Sequence, residues 1–263
     1  MDAPNWDDLD LDLDLDRDHL AEVARSGPNC VFASVSGAHL YGFPSPDSDV
    51  DLRGAFLSPA SAMLGLHPPD ETITITDNDT ARIELDWVAH DLRKFARMMT
   101  RHNGYVLEQL YSPLVVITGP IHDALRDLGR GCVTRQTVRH YLGFFEGRRK
   151  RLREPNPTVK HLLYAYRVLL TGIHLMQTGA VIAHLPTLNG YFELSEIDVL
   201  ISRKREGKEK GLLDEAELPE HERSLEELEE RLKKAHEKSA LPEEPSTVAA
   251  LDELVVRTRL EAI

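Results

Sequence analysis

Apolar positions change their spacing partway along this chain. Up to about residue 118 they fall in short runs or alternate with polar side chains, and beyond it they recur at helical spacing. Cys30-Val-Phe-Ala-Ser-Val35 is a nearly continuous apolar run and predicts a buried strand, which breaks into the small-residue turn Ser36-Gly37-Ala38-His39-Leu40-Tyr41-Gly42. Residues 49–57 predict a second strand, and Thr72–Thr76, Arg82–Val88 and Leu114–Thr118 add three more. Helices are predicted over His19–Arg25 and over Asp91–Thr100, where Leu92, Phe95, Ala96 and Met99 share one face.

After Gly119-Pro120 the periodicity becomes helical over Ile121–Leu128, Thr134–Leu152 and Thr158–Met176, with ends marked by Pro155, Pro157, Gly179 and Pro186. Lys204–Glu244 is crowded with Glu, Lys and Arg and reads as a solvated helix pair with a flexible linker, Ser224-Leu-Glu-Glu227 resembling a capping box that opens a helix. An amphipathic helix over Val248–Arg259 is expected to pack back on the body. The expectation is an α+β fold: an acidic flexible tail over 1–18 where Leu alternates with Asp, a mixed-sheet domain over 19–118, and a helical domain over 119–263.

Composition narrows the function. With 263 residues the chain can bury a substantial core, and its net charge of −13 argues against gripping nucleic acid over the whole surface. It leaves room for a local basic groove: Arg139, Arg148-Arg-Lys-Arg151 and Arg153 make the segment 126–167 basic, either as a polyanion track or as internal charge compensation. Cys30 and Cys132 form no Cys-x-x-Cys pair, so neither a disulfide framework nor a zinc site is suggested, and a reducing setting fits. No stretch has the apolar length of a membrane span, and the N-terminus lacks a basic flank and an apolar run; a cytoplasmic location is expected.

Candidate chemistry concentrates in Ser45-Pro-Asp-Ser-Asp-Val-Asp-Leu-Arg-Gly54. Strand side chains alternate, so Asp49 and Asp51 project to one side and Val50 and Leu52 to the other. Paired carboxylates suit magnesium, and no His or Cys cluster competes. In 82–88, Glu84 and Asp86 share a face opposite Ile83, Leu85 and Trp87, and either joins the pair if the two strands are neighbours. Two metals about 3.5–4 Å apart can stabilise both oxygens of an in-line phosphoryl displacement. Asp-x-Asp alone is commonly a solvated loop or strand edge; its conjunction with the upstream glycine turn, where N–H groups can approach a phosphate, and with a third acidic strand downstream carries the reading. Lys160 and Arg167, seven residues apart, share a helix face that meets phosphates or solvent. Tyr141, Phe144 and Phe145 read as core, and His90, His102 and His161 as packing or surface histidines.

The run Ser36–Gly42 followed by Ser48-Asp49-Val50-Asp51-Leu52-Arg53-Gly54 resembles the active-site signature of the DNA-polymerase-beta-type nucleotidyltransferase superfamily. It is most similar to the RNA-ligase-associated branch (RlaP, or YcgL-like), through Asp86, Asp91-Leu-Arg-Lys-Phe95, Gly104–Leu110 and, more weakly, Lys160–Arg167. The resemblance implies a polymerase-beta-type mixed sheet followed by a helical domain that closes a cleft. It implies that Ser36, Gly37, Ala38, His39, Ser48 and Arg53 bind the nucleotide, with Lys160 and Arg167 steadying its triphosphate. Asp49 and Asp51 would ligate two magnesium ions, and Asp86, preferred over Glu84 for its spacing to Asp91–Phe95, would be the third carboxylate and metal ligand. The implied reaction moves a nucleoside monophosphate from an NTP to an acceptor hydroxyl, an RNA end first. A small molecule, a protein side chain (AMP transfer) and a non-catalytic NTP-binding module are the alternatives. The last is motivated by the acidic surface and by Gly37-Ala38, where the family usually has Gly-Ser.

Overall fold

The structure, a computed structural model, describes residues 15–77, 84–207, 211–214 and 216–261. Of the expected acidic tail, residues 1–14 lie outside the described residues. Asp16 caps α1 (Arg17–Ser26) by accepting the His19 N–H at 3.0 Å, so Arg17 and Asp18 open a helix rather than end a tail.

In chain order there follow β1 (Cys30–Val35), α2 (Gly37–Tyr41), β2 (Val50–Phe56), α3 (Ala60–Met63), β3 (Thr72–Asp77), β4 (Leu85–Asp91), α4 (Leu92–Met99), α5 (Gly104–Leu110), β5 (Val115–Ile117) and α6 (Pro120–Gly129). The strands form one mixed sheet in the order β3-β4-β2-β1-β5. β2 and β4 run parallel, and the other neighbours antiparallel. The strand expected over 82–88 is described from Leu85 and continues to Asp91. β4 alternates strictly: Leu85, Trp87 and Ala89 are buried, while Asp86, Val88 and His90 are partly accessible. α4 presents Leu92, Phe95, Ala96 and Met99 to the core, the expected stripe. Phe95 meets Phe32 of β1 edge-on at 5.2 Å, and Phe32 stacks on His122 of α6 at 4.4 Å. Burial pushes His122 down to about 4, so its imidazole is neutral.

The remaining helices are α7 (Val138–Leu152), α8 (Val159–Thr178), α9 (Leu185–Phe192), α10 (Ser195–Glu206), α11 (Leu218–Lys238) and α12 (Val248–Glu261). By contact the chain divides into two compact units. One holds the described residues of Met1–Leu40, Asp49–Val133 and Glu244–Ile263, the other Tyr41–Ser48 and Thr134–Glu243. The sheet unit therefore includes α6 and α12.

In the helical unit α8 is apolar around most of its circumference, and α7, α9, α10 and α11 pack on it, as such a helix requires. Thr158 caps its start by accepting the His161 N–H at 3.3 Å, and Gly179, at φ +75°, closes its end. The Ser224 capping box does not open a helix. α11 begins six residues earlier, at Leu218 with Pro219 in its first turn, and its Leu225, Leu228, Leu232 and Ala235 stripe is buried. Nor is the charge-rich stretch all solvated: Lys204 is 1% exposed, and its Nζ donates to Ser45 Oγ at 2.6 Å. Arg205 donates to the Gly42 carbonyl at 2.8 Å. Gly42 sits at φ +84° with His184 so close that a Cβ there would lie 2.5 Å from Nε2. The segment Tyr41–Ser48 is thus anchored by α10 and by the residue that caps α9. Among the described residues no helix is long and apolar enough to cross a membrane.

α12 is fastened to the sheet unit by a buried ion pair. Asp91, at the end of β4, is fully buried. Its Oδ1 accepts from Arg259 Nη2 at 2.7 Å and from the Arg93 N–H at 2.9 Å, and its Oδ2 from the Ser58 N–H at 3.2 Å. Burial pushes this carboxyl up, but Arg259 and the two backbone amides outweigh it and hold the pKa below the usual range. A depressed carboxylate stabilises the fold above its unfolded pKa, and that contribution is lost as pH falls through the folded value. Arg259→Met is therefore expected to cost roughly 3–5 kcal/mol at neutral pH, because it strands a buried charge. The deficit relative to the parent should shrink below about pH 4, where Asp91 protonates in the unfolded chain and then in the folded one. Urea denaturation of both proteins across that range checks it; a deficit independent of pH would mean that Arg259 acts through packing alone.

Candidate active site

β2 and β4 pair with Asp51 directly opposite Asp86. Neighbouring strands lie about 4.8 Å apart, so this register sets the two carboxylates side by side on one face of the sheet. The alternation expected for β2 holds: Val50 and Leu52 are buried, while Asp51 and Arg53 are partly accessible. Asp49 is exposed one residue before the strand begins, in the same phase as Asp51, and makes no hydrogen bond or ion pair among the described residues. Glu84, exposed, precedes β4 in the same phase as Asp86.

Arg53 lies between the paired carboxylates. Its Nη2 donates to Asp51 Oδ1 at 2.5 Å and to Asp86 Oδ2 at 3.0 Å. Its Nη1 donates to the carbonyls of Leu52 at 2.8 Å and Asp86 at 2.6 Å, and its Nε to the Tyr105 hydroxyl of α5 at 3.0 Å. Burial works against this charge, but Tyr105, Asp51 and Asp86 together outweigh it and raise the guanidinium's pKa. Asp86 Oδ1 carries no hydrogen bond among the described residues. Also among the described residues, no three His, Cys, Asp or Glu side chains are grouped closely enough to hold a metal ion.

The glycine turn sits against this pair. The Ser36 N–H donates to the Asp51 carbonyl at 2.7 Å, and Gly37 follows at φ +61°. A Cβ on Gly37 would lie 1.9 Å from Asp51 Oδ2, so only glycine permits the approach as well as the left-handed backbone. The Ser36 hydroxyl is buried with no hydrogen-bond partner among the described residues. Ala38 and His39, in α2, are buried.

The other expected nucleotide ligands belong to the helical unit. Ser48 is buried, with its hydroxyl 3.0 Å from Ser45 Oγ and accepting the Ser45 N–H at 3.0 Å, inside the turn that leads to Asp49. On α8, Arg167 is buried with its guanidinium 3.9 Å over the Tyr41 ring, and Lys160 Nζ lies 5.8 Å from the centre of Tyr164. Arg148 covers the same Tyr164 ring at 4.7 Å. Positive potential is concentrated here: burial, then Arg167, pushes His140 down to about 4, and burial with Arg148, Arg151 and Lys160 lowers His161. His161, half-buried, is thus a neutral ring among cations.

The structure brings together Gly37, Asp51, Arg53 and Asp86, and adds Tyr105, which sequence reasoning missed. No local pattern marks Tyr105, because its role depends on a hydrogen bond to a residue 52 positions away.

The profile of a family described as the RNA repair pathway DNA polymerase beta family matches residues 14–257. Among curated proteins, the chain is 28% identical over 152 residues to the uncharacterized protein MJ0002 of Methanocaldococcus jannaschii, a match covering 57% of this chain and 61% of that relative. It is 27% identical over 205 residues to the uncharacterized protein YcgL of Bacillus subtilis, covering 74% of this chain and 77% of the relative. The paired carboxylates, the glycine turn against them and a match running through both units place this chain in the RNA repair pathway DNA polymerase beta family.

Proposed function

We propose that this protein is a magnesium-dependent nucleotidyltransferase that moves a nucleoside monophosphate from an NTP to an acceptor hydroxyl. The observation that carries the reading is the in-register placement of Asp51 beside Asp86, with Gly37 packed against the Asp51 carboxylate. The donors are carboxylate oxygens, which suit a hard divalent ion, and Asp49 has to close on the Asp51–Asp86 pair to complete the site. Asp51 Oδ1 and Asp86 Oδ2 converge on a single cationic nitrogen, and Asp49 stands exposed in the same phase of the strand as a further oxygen donor. Asp49, Asp51 and Asp86 would hold the metal, which supplies charge neutralisation on the phosphate oxygens when bound.

In the reaction an acceptor oxygen forms a bond to the α-phosphorus, and the bond from that phosphorus to the β-bridging oxygen breaks. Pyrophosphate leaves with the electron pair. Asp86 would take the hydroxyl proton through Oδ1, the oxygen that Arg53 does not occupy. The Ser36 N–H is taken by the Asp51 carbonyl, so backbone N–H groups that follow it at the start of α2 would be the phosphate donors, standing in where the family's usual serine is Ala38. Within the helical unit, Lys160 and Arg148, both half-buried beside the Tyr164 ring, would offer cations to phosphate, with buried Arg167 adding positive charge beneath them.

For the acceptor, the family's description as part of an RNA repair pathway and the basic α7–α8 segment favour an RNA end. A small molecule or a protein side chain is the competing acceptor. A non-catalytic NTP-binding module is the second reading, favoured by one observation: Arg53 already neutralises the carboxylates that a metal would need.

Incubation with each labelled NTP, magnesium and total RNA should transfer label to RNA. Asp49→Asn and Asp51→Asn should each lower the rate by roughly a hundredfold or more, with melting temperatures little changed. Full transfer by both variants would refute the assignment, and tight NTP binding without any product would establish the binding module. Transfer to RNA should fall steeply as salt rises, through counterion release, whereas transfer to a small acceptor should not. Gly37→Ala should combine about 1–2 kcal/mol of backbone strain with displacement of the Asp51 carboxylate. The expected result is a modest loss in urea stability and a loss of transfer comparable to that of Asp51→Asn; near-parental transfer would show that the close approach is dispensable.

A further inference from the structure

Arg53 has no donor left for a substrate. A guanidinium carries five N–H groups in a rigid planar fork. Here they go to two backbone carbonyls, the Tyr105 hydroxyl and two carboxylates from adjacent strands. Three of the five, to Leu52 O, Asp86 O and Tyr105, involve no side-chain charge, so they fix the fork irrespective of what the carboxylates do. The nitrogen they aim, Nη2, stands between Asp51 and Asp86. The arginine side chain is 12% exposed, against 25% and 33% for the two aspartates, so it reaches them from the protein side and leaves Asp86 Oδ1 without a hydrogen bond among the described residues.

Like charges set directly opposite on neighbouring strands repel. One pinned cation between them removes that repulsion, and it also occupies the electrostatic position that a divalent ion would take. We propose that Arg53 is a positioning residue, an internal counter-cation that holds Asp51 and Asp86 together before metal uptake and competes with the divalent ion for them. This rests on the reading that the two aspartates hold metal, and it departs from a direct role for Arg53 on nucleotide phosphate. Taking up the ion then means giving up at least one of the two Nη2 bonds, while the three anchor bonds keep the guanidinium close enough to return. The metal site is weakened by design, and occupancy depends on the extra ligands an incoming triphosphate brings.

Two effects of opposite sign follow, and a purely structural arginine produces only one of them. Arg53→Met should melt at a lower temperature without metal, yet bind Mn2+ at least about tenfold more tightly, because the carboxylates are no longer neutralised. Arg53→Lys restores the charge but not the fork and should bring the affinity back toward the parent. Tyr105→Phe frees one anchor and should tighten Mn2+ binding by a smaller factor; it serves if Arg53→Met does not fold. The measurement is Mn2+ binding by calorimetry and by electron paramagnetic resonance on the full chain, with melting curves with and without the ion and no nucleotide present. Unchanged or weaker Mn2+ binding by Arg53→Met and Tyr105→Phe, in a series where Asp51→Asn abolishes binding, overturns the competition and leaves the metal site standing. Absence of Mn2+ binding in the parent and in every arginine variant overturns the metal reading itself, and this inference with it.

Discussion

Two aspartates face each other across a pair of parallel strands, and the guanidinium set between them offsets their repulsion. The β2–β4 register fixes Asp51 opposite Asp86, and the same alternation that exposes these two buries Val50, Leu52, Leu85 and Trp87 in the core. A slip of one residue would send both carboxylates inward and both apolar sets outward, so the core and the site are specified by one register. Arg53, in phase with Asp51, then supplies the compensating charge from within the same strand. The glycine turn completes the arrangement: its backbone can lie against Asp51 because Gly37 has no Cβ to collide with the carboxylate.

Most of the sheet and much of this face are legible in the sequence, because period-two patterning is a local signal. The five strands, the buried stripe of α4, the shared side of Asp49 and Asp51 and the downstream acidic strand all follow from alternation and turn residues. What patterning could not reveal is which cation meets which carboxylate. Arg53 reads equally well as a phosphate ligand until its neighbours are known, and those neighbours come from β4 and α5. The choice of Asp86 over Glu84 was likewise not available from phase, since both share it; pairing opposite Asp51 distinguishes them.

Charge-rich sequence misleads in a different way. Between Lys204 and Glu244 the composition alone predicts solvent exposure, yet Lys204 is buried against a serine hydroxyl 159 positions earlier. The Ser224 capping pattern is overridden because a helix already started at Leu218 passes through it with its leucine stripe buried. Arg167 of α8 lies buried with its guanidinium over the Tyr41 ring, and Arg148 of α7, half-buried, covers the Tyr164 ring, so an aromatic face admits a charge where helical periodicity alone would place a leucine.

The two units are interleaved along the chain. Tyr41–Ser48 belongs by its contacts with Lys204, Arg205 and Arg167 to the helical unit, whereas α12, through Arg259 and Asp91, belongs to the sheet unit. A ribosome delivers residues in order, so the nascent sheet must wait, with the Asp91 carboxylate uncompensated, until α12 has emerged. The helical unit in turn cannot be cut out as a contiguous stretch without losing the segment that Lys204 holds. A cut between β5 and α7 would separate each unit from a segment that packs within it, α12 from the sheet and Tyr41–Ser48 from the helices.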